Sequence, residues 1–322
     1  MNSIFYGEIN EFLALREKTL SIKTVTMDRC ALLSFDQHLV KRGKSEISIT
    51  EDDVASWIKP MYGNLARNTI AGKARVLRMF LRYLQSEEIP VYIPRYTKIP
   101  ESYIPYLFSE TEIYKIFAAA DSIPPRKNSK HAIVLPMVLR MLYSCGFRLG
   151  ELLAIQISDI DFELGFVLLK DTKNKKQRIV PLGDALSEML YKYCLSMNLL
   201  EHTENYIFPG KDGTKPISQR VIQEWFETLL KDIGIFRRTE KNARGPCLHC
   251  FRHLFAIKSF AQAEQAGRST NDSIPYLSVY LGHSSLVETE KYLKFSNDMF
   301  PEYTAMFETF SEGLFPEVHY EE

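Results

Sequence analysis

The chain has 322 residues, enough for two ordinary domains, and its 45% hydrophobic and 12% aromatic content excludes a disordered or fibrous protein. Its 40 basic residues balance 40 acidic ones, but six glutamates and no lysine or arginine lie beyond residue 300, which leaves residues 1–300 at +6. A mildly basic body with an acidic tail leaves nucleic acid open as a partner despite overall neutrality.

Five scattered cysteines (Cys30, Cys145, Cys194, Cys247 and Cys250) fit a reducing, cytoplasmic setting better than a disulfide framework. The N-terminus has no cationic region ahead of a long apolar core, so no secretory signal is expected. The most apolar window, residues 132–147, is interrupted by Pro136 and Arg140, so no membrane contact is expected.

Residues 1–92 read as a small helical domain. Ile9–Leu15 suits a short helix, and Thr24–Leu39 alternates at helical period before a stop at Arg42-Gly43. Thr50 ahead of Glu51-Asp52-Asp53 is an N-cap with acids in the first turn of a helix through Trp57. From Asn68 to Gln85, residues Ile70, Ala74, Leu77, Leu81 and Leu84 recur at the spacing of a buried stripe. Arg75, Arg78 and Arg82 share that spacing on another face, and no acid occurs from Arg67 to Ser86. With Arg67 and Lys73 they make a surface suited to phosphates; a merely solvated helix face is the plainer alternative.

Residues 93–106 carry Pro94, Pro100 and Pro105 and read as an extended linker. The remainder, 107–322, opens with a capping box at Ser109-Glu110-Thr111-Glu112 and a helix to Ala120, followed by an apolar helix at 132–144. Another helix is expected to begin within 146–152. Three short strands (160–162, 166–169 and 177–182) surround a basic turn. Within Lys170–Arg178 there are five positive residues against Asp171, so Lys175, Lys176 and Arg178 are candidate DNA contacts. Amphipathic helices follow at 184–199 and 218–233, then a basic loop from Arg237 to Arg244. The polar run after His253, A-E-Q-A-G-R-S-T-N-D-S, reads as a loop. Met299–Phe310 is expected to form a last amphipathic helix that packs on its own domain or on a neighbour.

Five separated signatures carry the chemistry. C-G-F-R-L-G-E-L holds Arg148 with Glu151 one turn on; the basic turn holds Lys173; H-C-F-R-H places His249, Arg252 and His253 on one helix face; L-G-H holds His283; and T-E-K-Y ends on Tyr292. The order arginine, lysine, histidine-x-x-arginine, histidine, tyrosine resembles the tyrosine recombinase, or phage-type integrase, family over nearly the whole chain. The resemblance is to Xer-like members without an arm-binding domain.

It implies a mostly α fold with a small β-sheet: an N-terminal helical (SAM-like) core-binding domain plus an α+β catalytic domain, clamping duplex DNA. It also implies a site-specific recombinase that cuts and rejoins DNA through a 3′-phosphotyrosine intermediate, working as a homo-tetramer on paired sites. Arg148 and Arg252 would bind the non-bridging oxygens through their planar forks. Tyr292 would be the nucleophile, and Lys173 the general acid. His249 would take the tyrosine proton or bond the phosphate, His283 would bind a phosphate oxygen, and Glu151 and His253 would support the arginines.

Lys170, Lys175 and Lys176 rival Lys173, which is preferred because it lies eight residues before Pro181, as the family's hairpin lysine does before its V-P-L segment. No cofactor or metal is expected; Cys247-x-x-Cys250 lacks a second ligand pair at a suitable spacing. A type IB topoisomerase, or a catalytically silent DNA-binding regulator on the same fold, are the alternative functions.

Overall fold

The structure, a computed structural model, describes residues 2–95, 105–127, 129–170, 177–235 and 245–299. Contacts divide the chain into two compact units, Met1–Tyr103 and Ile104–Glu322.

The first unit is four helices: α1 (Tyr6–Glu17), α2 (Ile22–Lys41), α3 (Glu51–Ile58) and α4 (Arg67–Ser86). Ser21 and Thr50 cap α2 and α3, and Asp53 returns the bond to the Thr50 backbone to complete a capping box. Because α4 carries more than the five-residue stripe, Val76 and Phe80 are buried as well, whereas Ala74 is only half-buried. Phe12 meets Phe80 edge-on at 5.6 Å and Phe35 meets Trp57 at 5.3 Å, arrangements that suit the ring quadrupoles. Arg67, Arg75 and Arg82 are exposed, Lys73 and Arg78 half-buried, and none of the five forms an ion pair among the described residues.

The second unit holds α5 (Glu110–Asp121), α6 (His131–Cys145), α7 (Leu149–Leu153), strands β1 (Ile160–Asp161), β2 (Phe166–Leu169) and β3 (Arg178–Pro181), then α8 (Asp184–Ser196), α9 (Gln219–Asp232), α10 (His249–Gln265), α11 (Thr270–Leu281) and α12 (Leu286–Met299). The strands form one antiparallel sheet in the order β1-β2-β3, with Val167 opposite Val180 and Leu169 opposite Arg178. Helix α6 is the centre of the core, buried along Val134–Leu139 and again at Met141, Leu142 and Cys145. It ends at Gly146 in the left-handed conformation (φ +62°), where a Cβ would stand 2.5 Å from the Phe255 ring.

The helix expected to begin within 146–152 starts at Leu149 as the short α7, with Gly146 terminating α6 and Arg148 extended before it. One expectation needs correction. The polar run after His253 is mostly helical: α10 continues to Gln265, and Ser269 caps α11 by accepting from the Asp272 N–H at 3.2 Å. Short polar residues at that point serve a helix start instead of a long loop. The 299–310 helix lies, but for Met299, outside the described residues, as do Lys173, Lys175, Lys176, the Arg237–Arg244 loop and residues 96–104 of the linker.

Candidate active site

Helices α6 and α11 end side by side and build the site between their termini. The Tyr280 hydroxyl donates to the Cys145 carbonyl at 3.2 Å, and the Tyr280 ring stacks on Phe255 at 5.3 Å. Helix α11 then stops at Gly282, again left-handed (φ +64°), leaving the carbonyls of Leu281 and Gly282 free of helical partners.

Both predicted arginines converge there. Arg252, on α10 and only 1% exposed, donates from Nη1 to the Gly146 carbonyl at 2.8 Å and from Nη2 to the Leu281 carbonyl at 2.6 Å. Burial, then the adjacent Arg148, lowers its pKa to about 10, so it stays charged at neutral pH. Arg148 reaches the Gly282 carbonyl from Nη2 at 3.4 Å and the Leu281 carbonyl from Nη1 at 3.4 Å. Its Nη1 also donates to Glu151 Oε1 at 2.8 Å, and its backbone N–H to Glu151 Oε2 at 3.3 Å.

His283 follows Gly282 and shares the cluster. Arg252 Nη2 lies 3.1 Å from His283 Nε2, and since a guanidinium only donates, Nε2 accepts. Nδ1 therefore carries the proton and donates to Thr289 Oγ1 at 2.7 Å. Burial, then Arg252 and Arg148, pushes His283 down to about 4, which agrees with this neutral tautomer.

Tyr292, on α12, stacks its ring on His283 at 5.9 Å and lies 5.4 Å from the His253 ring. It is 5% exposed, packed in a small core with Ala256, Ile257 and Leu281. His253 is pushed down to about 3 by burial, then by His249 and Arg252, and so is neutral beside the phenol. His249 is exposed, one turn earlier on α10, with its ring 4.7 Å from His253.

Four of the six predicted catalytic side chains (Arg148, Arg252, His283 and Tyr292) thus form one cluster, with His249 at its rim through His253. Lys173 lies outside the described residues, but its rival Lys170 is tied to Asp159 at 2.6 Å.

Arg178 was expected on the DNA-facing surface, and its side chain instead turns inward, 8% exposed, with Nη2 2.7 Å from Glu151 Oε2. The reason is strand alternation: Arg178 shares a face with buried Val180, while exposed Ile179 faces away. Burial alone would raise the Glu151 carboxyl, but Arg178 and then Arg148 hold it below the usual carboxylate range. Sequence reasoning also missed Thr289, which is fully buried; its position six residues after His283 was the available signal. Cys247 and Cys250 stand with their Sγ atoms 3.6 Å apart. No group of three metal-ligating side chains occurs among the described residues.

Residues 107–298 match the model of the phage integrase family. The chain belongs to that family. It is similar to tyrosine recombinase XerC of Staphylococcus haemolyticus (strain JCSC1435), 26% identical over 286 residues that cover 87% of this chain and 89% of the relative. In fold it is similar to XerH site-specific recombinase bound to a palindromic difH substrate, with a TM-score of 0.68 and 20% identity over 88% of this chain and 80% of the other. A lambda integrase tetramer bound to a Holliday junction matches with a TM-score of 0.62 and 18% identity, over 88% and 78% of the two chains.

The expected family, the mostly helical fold with a small sheet, and the expectation of a site-specific DNA recombinase are borne out, and these relatives give no support to the topoisomerase or silent-regulator alternatives. No helix among the described residues is long and apolar enough to cross a membrane.

Proposed function

We propose that this family member cuts and rejoins duplex DNA with Tyr292 as its nucleophile and with Arg148, Arg252 and His283 holding the scissile phosphate. The carrying observation is the convergence of both arginines and His283 on the end of α11, with the Tyr292 ring against His283. The guanidinium donors in that corner already bond oxygen acceptors, and a phosphate oxygen offers the same chemistry with a negative charge.

In the step proposed, Tyr292 Oη bonds to phosphorus and the bond from phosphorus to the 5′ oxygen breaks, leaving a 3′-phosphotyrosine and a 5′ hydroxyl. Lys173 gives the 5′ oxygen its proton, and the phenol proton passes to His249 or to solvent. The high-energy bond is kept in the phosphotyrosine, so the reverse attack reseals the strand without a nucleotide cofactor. Because Tyr292 is buried, the attack requires α12 to shift when DNA is bound.

Duplex DNA is the substrate, engaged by the basic face of α4 and the turn around Lys175 and Lys176, and four protomers assemble on paired sites. Support for self-association comes from Tyr276, Val279, Leu286 and Val287, large hydrophobic side chains exposed on α11 and α12, of which Tyr276 also lines a groove of about 320 Å³ with Phe255 and Phe260.

The test is to select a bound duplex from a random pool, nick it, and look for protein joined to DNA after denaturation. Wild type is expected to give the adduct and Tyr292→Phe to bind without it. Adduct formation by Tyr292→Phe refutes the assignment.

A further inference from the structure

Strand β3 points Arg178 at a carboxylate that already serves a catalytic arginine. Glu151 is almost completely buried between two guanidinium groups: Oε1 takes Arg148 at 2.8 Å and Arg178 at 3.4 Å, and Oε2 takes Arg178 at 2.7 Å. Gly282 closes over the far side, where a Cβ would stand 2.7 Å from Arg178 Nη1, and the Gly282 carbonyl is an acceptor for Arg148.

Charge gives the arrangement its sense. Arg148 and Glu151 alone would cancel, and a neutral pair is a poor receptor for a phosphate. Adding Arg178 brings the buried trio to +1, so that Glu151 can orient Arg148 without quenching it.

We propose that Arg178 is a positioning residue for phosphate binding: it balances and fixes Glu151, and thereby keeps the field and the fork of Arg148 directed at the scissile phosphate. This rests on the recombinase reading of the site. Arg178 itself does not touch the DNA. Its partners use Nη1 and Nη2 on the side facing Glu151, and the side chain is shut in by the Gly282 turn.

The experiment compares Arg178→Gln with wild type on two forms of the selected duplex. One has an ordinary scissile phosphodiester; the other has a methylphosphonate there, in which a methyl group replaces a non-bridging oxygen and removes its charge. On the ordinary substrate Arg178→Gln is expected to form the covalent adduct about 10–100-fold more slowly, the range for loss of a residue that orients a binding side chain. On the methylphosphonate, which asks less of the arginines, that deficit is expected to shrink severalfold. Arg178→Lys keeps the charge and is expected to keep the wild-type ratio of the two rates.

An equal deficit on both substrates, or no deficit, overturns the proposal and leaves Arg178 as a packing residue or a bystander. Should Arg178→Gln not fold, Arg178→Lys decides, since a shifted ratio in that variant contradicts the charge balance. Failure here is separable from failure of the site assignment. If wild type yields no Tyr292-dependent adduct, the assignment falls; if it does and Arg178→Gln behaves as wild type, only this inference falls.

Discussion

Truncating Arg252 leaves the Gly146 carbonyl and His283 Nε2 without the donor they have here, and the Leu281 carbonyl with Arg148 alone. Buried acceptors left without partners cost on the order of 3 kcal/mol together after relaxation. Arg252→Ala is therefore expected to lower stability in urea titration by about that much, and to slow adduct formation by about a hundredfold or more as an electrostatic donor is lost. Acid should act on the same side chains. His253 and His283 are held near 3 and 4, below the ordinary histidine value, so the unfolded chain binds protons first as pH falls. Their contribution is complete above about 6.5 and drains away toward 4, with the depressed Glu151 adding to the loss lower down. Melting temperature is expected to fall between pH 7 and pH 5, and His253→Gln to flatten that dependence.

At the scale of elements, the bond from His283 Nδ1 to Thr289 Oγ1 ties α12 to the residue that follows the end of α11. Thr289→Val keeps the shape and removes the acceptor, leaving a buried N–H unpaired at a cost of about 1–2 kcal/mol. The expected readout is faster amide exchange across residues 286–293, with α6 unchanged. Exchange that does not respond would show that apolar packing alone keeps Tyr292 in its core.

Several of these elements were legible in the sequence. The N-cap at Thr50 and the capping box at Ser109 are local bonding patterns that depend on three or four residues, so they declare themselves. The motifs around Arg148, Arg252, His283 and Tyr292 carry their spacing with them. Arg178 was misread because a run of like charges drew the eye to the turn, although the alternation with Val180 pointed inward. Neither the Leu281 and Gly282 carbonyls nor the burial of Tyr292 had any sequence signal, because both arise from how α6, α10, α11 and α12 meet.

For the molecule as a whole, charge location matters more than charge total. The five basic residues on or beside the exposed face of α4 form no ion pairs among the described residues, and on the proposed reading the exposed ones displace counterions from DNA. Replacing Arg75 and Arg82 by glutamine is expected to weaken binding evenly across sequences and to reduce the salt slope by about one for each phosphate that is no longer neutralised. Fluorescence anisotropy between low and moderate salt measures this directly; an unchanged slope would assign those arginines to solvent.

The shared carbonyl of Leu281 has a thermodynamic consequence. Two guanidinium groups on long, many-jointed stems are already immobilised against a neutral oxygen before any nucleic acid arrives. Arginine side chains left free in solution would surrender about 2 kcal/mol of rotamer entropy each on capture. Here that ordering belongs to folding, so on the proposed reading a phosphate meeting these forks has less entropy to overcome than it would with two free side chains.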